Sequence, residues 1–158
     1  MKSLIFSLLF LFVTNVWSQE VILQRVYIDK AKNVHAIAMN GKEKLLTKGG
    51  RATQAELSKD KRTAAWLIEN TWTAEGDVGP GASNLTLYRD GKFVHIECQP
   101  FIRDFWFWED GKKVGIDCGG RHFAGTLTLY DVGTGKVIES LFQPDVPYEK
   151  LPAWAAPH

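Results

Sequence analysis

A hairpin pattern that recurs after fifty residues constrains the fold of this chain more than any other feature. Residues 105–116, FWFWEDGKKVGI, combine an aromatic run suited to a strand, the turn pair Asp110-Gly111 and an alternating apolar run. Fifty positions earlier, residues 55–68 repeat this plan, with Leu57-Ser58-Lys59-Asp60-Lys61 in place of the central segment. A hairpin that recurs at constant spacing predicts a chain built from repeated antiparallel sheets.

The repeat extends over most of the chain. From residue 37 onward, an offset of fifty aligns turn residues with turn residues and apolar strand positions with apolar ones, without a gap. Asn40-Gly41 falls on Asp90-Gly91 and Asp60 on Asp110. The string LTLY also occurs twice, at 85–88 and 127–130. A period of about 40–50 residues that contains several short strands is typical of β-propeller blades.

Hydrophobic alternation and turn residues divide the chain into short strands. Strands are predicted at 21–29, 34–39, 44–47, 54–58, 63–69, 84–88, 93–98, 105–108, 114–116, 126–132 and 136–142. A helix over 52–61 is the local alternative, because Ala, Gln, Glu, Leu and Lys favour helix. The repeat favours a strand there. We therefore predict a signal peptide at 1–18, one all-β domain at 19–143 and an extended, proline-rich tail at 144–158.

The stretch 36–68 resembles the TolB-like (WD-like) β-propeller repeat, in which a Leu-Thr pair precedes Trp-Ser-Pro-Asp-Gly-Lys and an apolar strand. Leu46-Thr47 matches the pair, residues 57–61 keep the Ser and the Asp, and residues 107–112 keep Asp-Gly-Lys. The resemblance covers most of residues 34–154 and implies antiparallel, blade-like sheets. Closed propellers have about 4–8 blades, and two to three repeats are too few to close one. Three arrangements are therefore open. The sheets pack face to face as a sandwich, several chains assemble, or the chain is a remnant of a longer propeller.

The N-terminus has the pattern of a secretory signal peptide. Lys2 precedes the apolar run 4–13, and Val16 and Ser18 are the small residues before a cut at Ser18-Gln19. The alternative, a membrane anchor, requires a longer apolar run of about 20 residues. We expect a periplasmic or secreted protein with no stable membrane insertion after cleavage. The net charge of +1 offers no electrostatic footprint for nucleic acid.

The two cysteines, Cys98 and Cys118, predict one disulfide in an exported chain. Two alternatives are free thiols and a zinc site formed with His95 and His122. Zinc is disfavoured because His95 and Cys98, three residues apart, point to opposite faces of a regular strand. We predict no metal site, no cofactor and no catalytic residue.

Loops are the regions where binding residues concentrate in sheet proteins. The candidate loops are 71–83 and 99–104, with Trp72, Arg103 and Trp106 as binding candidates. The first functional hypothesis is therefore a non-catalytic protein-binding module that contacts another exported protein or a second copy of itself. Alternation predicts that Trp106 and Trp108 lie on the same face of their strand. That face either packs in a second core or is exposed as a platform for a ligand.

Two further hypotheses are open. The first is an exported hydrolase or enzyme accessory domain with a site near Asp117, Arg121 and His122. No serine lies in a G-x-S-x-G nucleophile elbow, which leaves this hypothesis without a nucleophile motif. The second is a self-assembling structural protein whose unpaired blade edges meet between chains.

Overall fold

The computed structural model describes residues 20–70, 81–120 and 122–156. The predicted signal peptide, Trp72 and Arg121 lie outside these ranges. The described chain forms eleven strands and four short 3₁₀ helices, and the strands make three antiparallel sheets. The all-β prediction is confirmed.

Each sheet is a meander in which the strand order follows the chain. Sheet A contains β1 (Leu23–Ile28), β2 (Val34–Ala38) and β3 (Glu43–Leu45). Sheet B contains β4 (Ala52–Leu57), β5 (Thr63–Glu69), β6 (Ala82–Arg89) and β7 (Lys92–Glu97). Sheet C contains β8 (Ile102–Trp108), β9 (Lys113–Cys118), β10 (Thr126–Asp131) and β11 (Val137–Phe142). None of these three sheets closes on itself, and the alternative helix over 52–61 is wrong because β4 occupies that segment.

Residues fifty positions apart lie beside one another where sheets B and C meet. The Gln54 Nε2 donates a hydrogen bond to Asp104 Oδ1 at 3.2 Å. The Asp60 backbone N–H donates to the Asp110 carbonyl, also at 3.2 Å. Both contacts join positions that the offset of fifty aligns. Sheets B and C are therefore stacked with their first hairpins in register.

Two apolar cores fill the spaces between the sheets, because alternate residues of each strand point to opposite faces. Between sheets B and C, Leu85, Leu87 and Ile116 pack with Phe105 and Phe107. Between sheets A and B lies a second core, made of Leu23, Val34, Ala36, Ala52, Ala64, Trp66 and Tyr88. The aromatic run of β8 thus divides as its alternation predicts, with both phenylalanines facing sheet B.

The outer face of sheet A holds a polar cluster beside the exposed side chain of Leu45. The His35 imidazole lies between two carboxylates, with Nδ1 at 2.7 Å from Glu43 and Nε2 at 3.1 Å from Asp29. The Tyr27 ring stacks on His35, with 4.9 Å between the ring centroids. These polar side chains satisfy one another's hydrogen bonds.

The proline-rich C-terminal segment folds back onto the outer face of sheet C and does not run extended. It forms three 3₁₀ helices, Gln143–Asp145, Tyr148–Lys150 and Ala153–Ala155. Trp154 and Leu151 pack there against Trp106 and Trp108. Proline limits regular helix in this segment, and the apolar face of sheet C gives its aromatic residue a place to be buried.

A polar network joins the first turns of sheets B and C. The Asp60 carboxylate accepts a hydrogen bond from the Ser58 hydroxyl at 2.6 Å and pairs with the Arg89 guanidinium at 2.9 Å. Gly111 approaches this network with φ +92°, and a Cβ at Gly111 would collide with Ser58. Partial burial raises the pKa of Asp60, but the hydrogen bonds from Ser58 and Arg62 and the charge of Arg89 outweigh it, so that this pKa lies below 3.8.

We predict that Asp60→Asn lowers the free energy of unfolding by about 1.5–3 kcal/mol at neutral pH, the usual range for hydrogen bonds to a charged group. Because the folded-state pKa is depressed, the carboxylate contributes its stability above pH 3.8 and loses it as the pH falls through the folded value. The difference between wild type and variant should therefore shrink below about pH 4. Urea unfolding at several pH values measures it.

Asp110→Asn is the matched control, because Asp110 occupies the aligned position but is exposed, and among the described residues its carboxylate pairs with the exposed Lys59 alone. We expect an effect of less than about 0.5 kcal/mol there. Equal losses in the two variants would contradict the assignment of the network to Asp60.

Candidate functional site

The two ends of the stacked sheets carry different kinds of connection. Tight turns at 58–62, 90–91 and 109–112 lie together at one end. Because the strands alternate in direction, the connections 98–101 and 119–125 and the start of the C-terminal segment lie at the other end. We call this second end the loop end. It contains the described part of both predicted loops.

A disulfide between Cys98 and Cys118 fixes the loop end, with 5.9 Å between the two Cα atoms. Cys98 directly follows β7 and Cys118 ends β9, so the bond ties sheet B to sheet C. The disulfide prediction is confirmed, and the free-thiol and zinc alternatives are wrong because both sulfurs are bonded to each other. In the described ranges, no group of three or more His, Cys, Asp or Glu side chains is arranged to hold a metal ion.

The Arg103 side chain connects four segments of the loop end. Its Nε donates to Asp117 Oδ1 at 3.1 Å, its Nη1 to the Phe123 carbonyl at 3.1 Å, and its Nη2 to Gln143 Oε1 at 2.8 Å. These partners belong to β9, to the 119–125 connection and to the first C-terminal 3₁₀ helix. A planar guanidinium suits this task because its donors are fixed in a fork. Arg103 therefore holds the loops in place.

Trp106 lies on the same side of sheet C as the C-terminal segment. Its indole N–H donates to the Trp154 carbonyl at 2.7 Å, and its ring lies so close over Gly115 that a Cβ there would overlap it. Trp106 also lines a groove of about 330 Å³ together with Asp117, Gln143 and Tyr148. The alternation of the FWFW run thus places its tryptophans in a third core, at the border of this groove.

The structure brings together residues from two separate hypotheses. Arg103, a binding candidate, pairs with Asp117, a candidate for the hydrolase site. His122 is exposed on the 119–125 connection, and no hydrogen bond joins it to Asp117 among the described residues. Asp117 thus has its carboxylate engaged by an arginine.

Three exposed aromatic side chains at this end were missed by sequence reasoning. Phe123 is 76% exposed, Tyr148 71% and Phe142 48%. The Phe123 carbonyl is bound by Arg103, and the Gln143 that follows Phe142 accepts from the same guanidinium. We call Phe123, Phe142 and Tyr148 the aromatic patch. The available signal was a phenylalanine within the glycine-rich stretch 119–125, where no strand explains an aromatic residue.

No protein-family model matches this chain, and no curated protein matches it. In the part of the chain that the structure describes, helices are too short or too polar to be membrane spans.

Proposed function

We propose that this chain is an exported, non-catalytic binding module of TolB-like blades that binds another exported protein through its loop end. The observation that carries the proposal is the aromatic patch, held on a rigid base by Arg103 and the disulfide. Aromatic side chains dominate the energetically important centres of protein interfaces. Each of these exposed rings at the loop end can supply such a centre.

Export is supported by two independent features. The Cys98–Cys118 disulfide is of a kind that persists in oxidising compartments. Residues 1–18 have the charge, apolar run and small residues of a signal peptide. The TolB-like assignment draws support from the four-stranded meanders of sheets B and C and from the contacts between positions fifty residues apart.

We propose that the chain is non-catalytic because the carboxylate at its loop end, that of Asp117, is already engaged. Asp117 accepts from two nitrogens of Arg103, which leaves it poorly placed to act as a general base.

Self-association is a second candidate function, because the edge strand β11 exposes Val137 and Ile138. Edge strands with exposed apolar side chains are sites where chains pair.

Binding at the aromatic patch is tested with the mature chain immobilised and offered an extract of exported proteins. A protein retained by wild type is identified, purified and titrated against Phe123→Ala/Tyr148→Ala, where we expect at least about a tenfold loss of affinity. Ile138→Ala on β11 is the control, and its affinity should stay within about twofold of wild type.

Two results would overturn this proposal. The first is that no retained protein distinguishes wild type from the patch variant. The second is that Ile138→Ala loses binding as strongly as the patch variant, which would move the interface to the edge strand. In that second case, sedimentation of the wild-type chain alone distinguishes two explanations. A dimer or larger species indicates self-association, and a monomer indicates that a different partner binds the edge strand.

A further inference from the structure

A groove opens between sheets A and B because sheet A has one strand fewer than sheet B. The short β3 reaches over β6, where the Lys44 Nζ donates to the Tyr88 hydroxyl at 3.0 Å. No described element lies over β7 on this side. The result is an open groove of about 450 Å³ at the edge of the interface. This groove lies between different sheets from those that form the aromatic patch.

The floor of the groove is aromatic. Trp66 is 1% exposed and meets Phe93 edge to face, with the ring centroids 6.3 Å apart. Phe93 is 43% exposed, and its ring is within 6° of parallel to that of His95, at 6.5 Å. The Thr86 hydroxyl, 3.1 Å from His95 Nδ1, holds the imidazole in this orientation. Two nearly parallel aromatic rings offer faces against which a flat ligand can stack.

The polar groups that line the groove are donors or neutral groups, and no carboxylate is among them. Among the described residues, the Arg51 guanidinium makes one long hydrogen bond, 3.5 Å to the Glu69 carbonyl. The Glu69 carboxylate itself is engaged by Lys32 at 2.8 Å. No carboxylate of the described residues forms an ion pair with Arg51.

The indole N–H of Trp66 is buried and has no hydrogen-bond partner among the described residues. A buried donor left without a partner costs about 1–3 kcal/mol, and native structures contain few of them. This donor is closed to the surface in the structure, so the groove's accessible donor is the Arg51 guanidinium. Arg51 favours a ligand that accepts hydrogen bonds.

We propose that the groove between sheets A and B binds a small organic anion with a flat apolar ring system. The ring lies on Phe93 and His95, and the acid group faces Arg51. Aromatic carboxylates have this chemistry. The groove volume falls in the range of about 300–1,000 Å³ that is usual for small-molecule sites.

The probes are 2-naphthoate and the neutral 2-naphthamide, which have the same ring system and differ in charge. Isothermal titration calorimetry of the whole mature chain should show 2-naphthoate binding at least about tenfold more tightly than 2-naphthamide. Arg51→Gln should remove that preference, and Phe93→Ala should weaken both probes by about tenfold. Both positions are exposed, so the variants should fold, as checked by circular dichroism.

The matched controls lie away from the groove: Arg25→Gln on the outer face of sheet A, and Ile138→Ala on β11. Both should bind 2-naphthoate within about twofold of wild type. The proposal is overturned by absence of binding up to about 10 mM, by equal affinity for the two probes, or by equal losses in groove and control variants. None of these outcomes bears on the aromatic patch, so this proposal and the proposed function are tested separately.

Discussion

Replacing Trp154 with alanine should lower the free energy of unfolding by about 3–5 kcal/mol, the usual loss for truncating a buried tryptophan. Trp154 is 5% exposed and packs against the two tryptophans of β8 and against Leu127 and Leu129 of β10. Its indole N–H donates to Glu139 at 2.8 Å, which anchors the C-terminal segment to β11. Removal of the ring leaves a cavity and breaks the hydrogen bond to the exposed Glu139.

Urea unfolding followed by circular dichroism and tryptophan fluorescence measures this loss. Tyr148→Ala is the control, because Tyr148 belongs to the same segment but is largely exposed. We expect a change below about 0.5 kcal/mol for the control. A loss below about 1 kcal/mol for Trp154→Ala would contradict the placement of the segment on sheet C.

The double variant Cys98→Ser/Cys118→Ser should lose about 3 kcal/mol of stability, since the bond closes a loop between residues 20 positions apart. The loop contains the whole β8–β9 hairpin, and the bond joins that hairpin to the last strand of sheet B. Without the bond, the unfolded chain gains the conformational freedom that the bond removes. The loop end should also become more mobile, because Arg103 and the disulfide hold the same connections.

Unfolding of wild type with and without reductant provides the measurement. Reduced wild type should match the double variant, and reductant should leave the double variant unchanged. If complete reduction, verified by two titratable thiols, left the stability of wild type unaltered, the bond would have no stabilising role.

Much of the fold could be predicted from local sequence patterns. Alternating apolar residues and Asn-Gly or Asp-Gly turns are local signals, and they placed strands at all eleven observed positions to within a few residues. At β4 the local signal was ambiguous, because residues 52–57 suit helix as well as strand. The alignment of Asp60 with Asp110 favoured the strand over the helix at β4, because segments that the repeat aligns are expected to share one structure.

Contacts between distant residues could not be predicted in the same way. The FWFW alternation assigned Trp106 and Trp108 to one face, but nothing local shows that residues 151–155 cover it. The partners of Arg103 lie 14, 20 and 40 positions away along the chain. The aromatic floor around Trp66 depends on sheet A stopping one strand short of sheet B, which is a property of packing between sheets.

The return of the C-terminal segment to sheet C affects the order in which the chain can fold as it is made. The core between sheets A and B is complete once β6 has emerged, because all its residues precede position 89. The tryptophan face of β8 receives its cover only when Trp154 arrives, 46 residues after Trp108. During that interval sheet C exposes apolar surface, so this period is when the nascent chain is most open to aggregation and to chaperones.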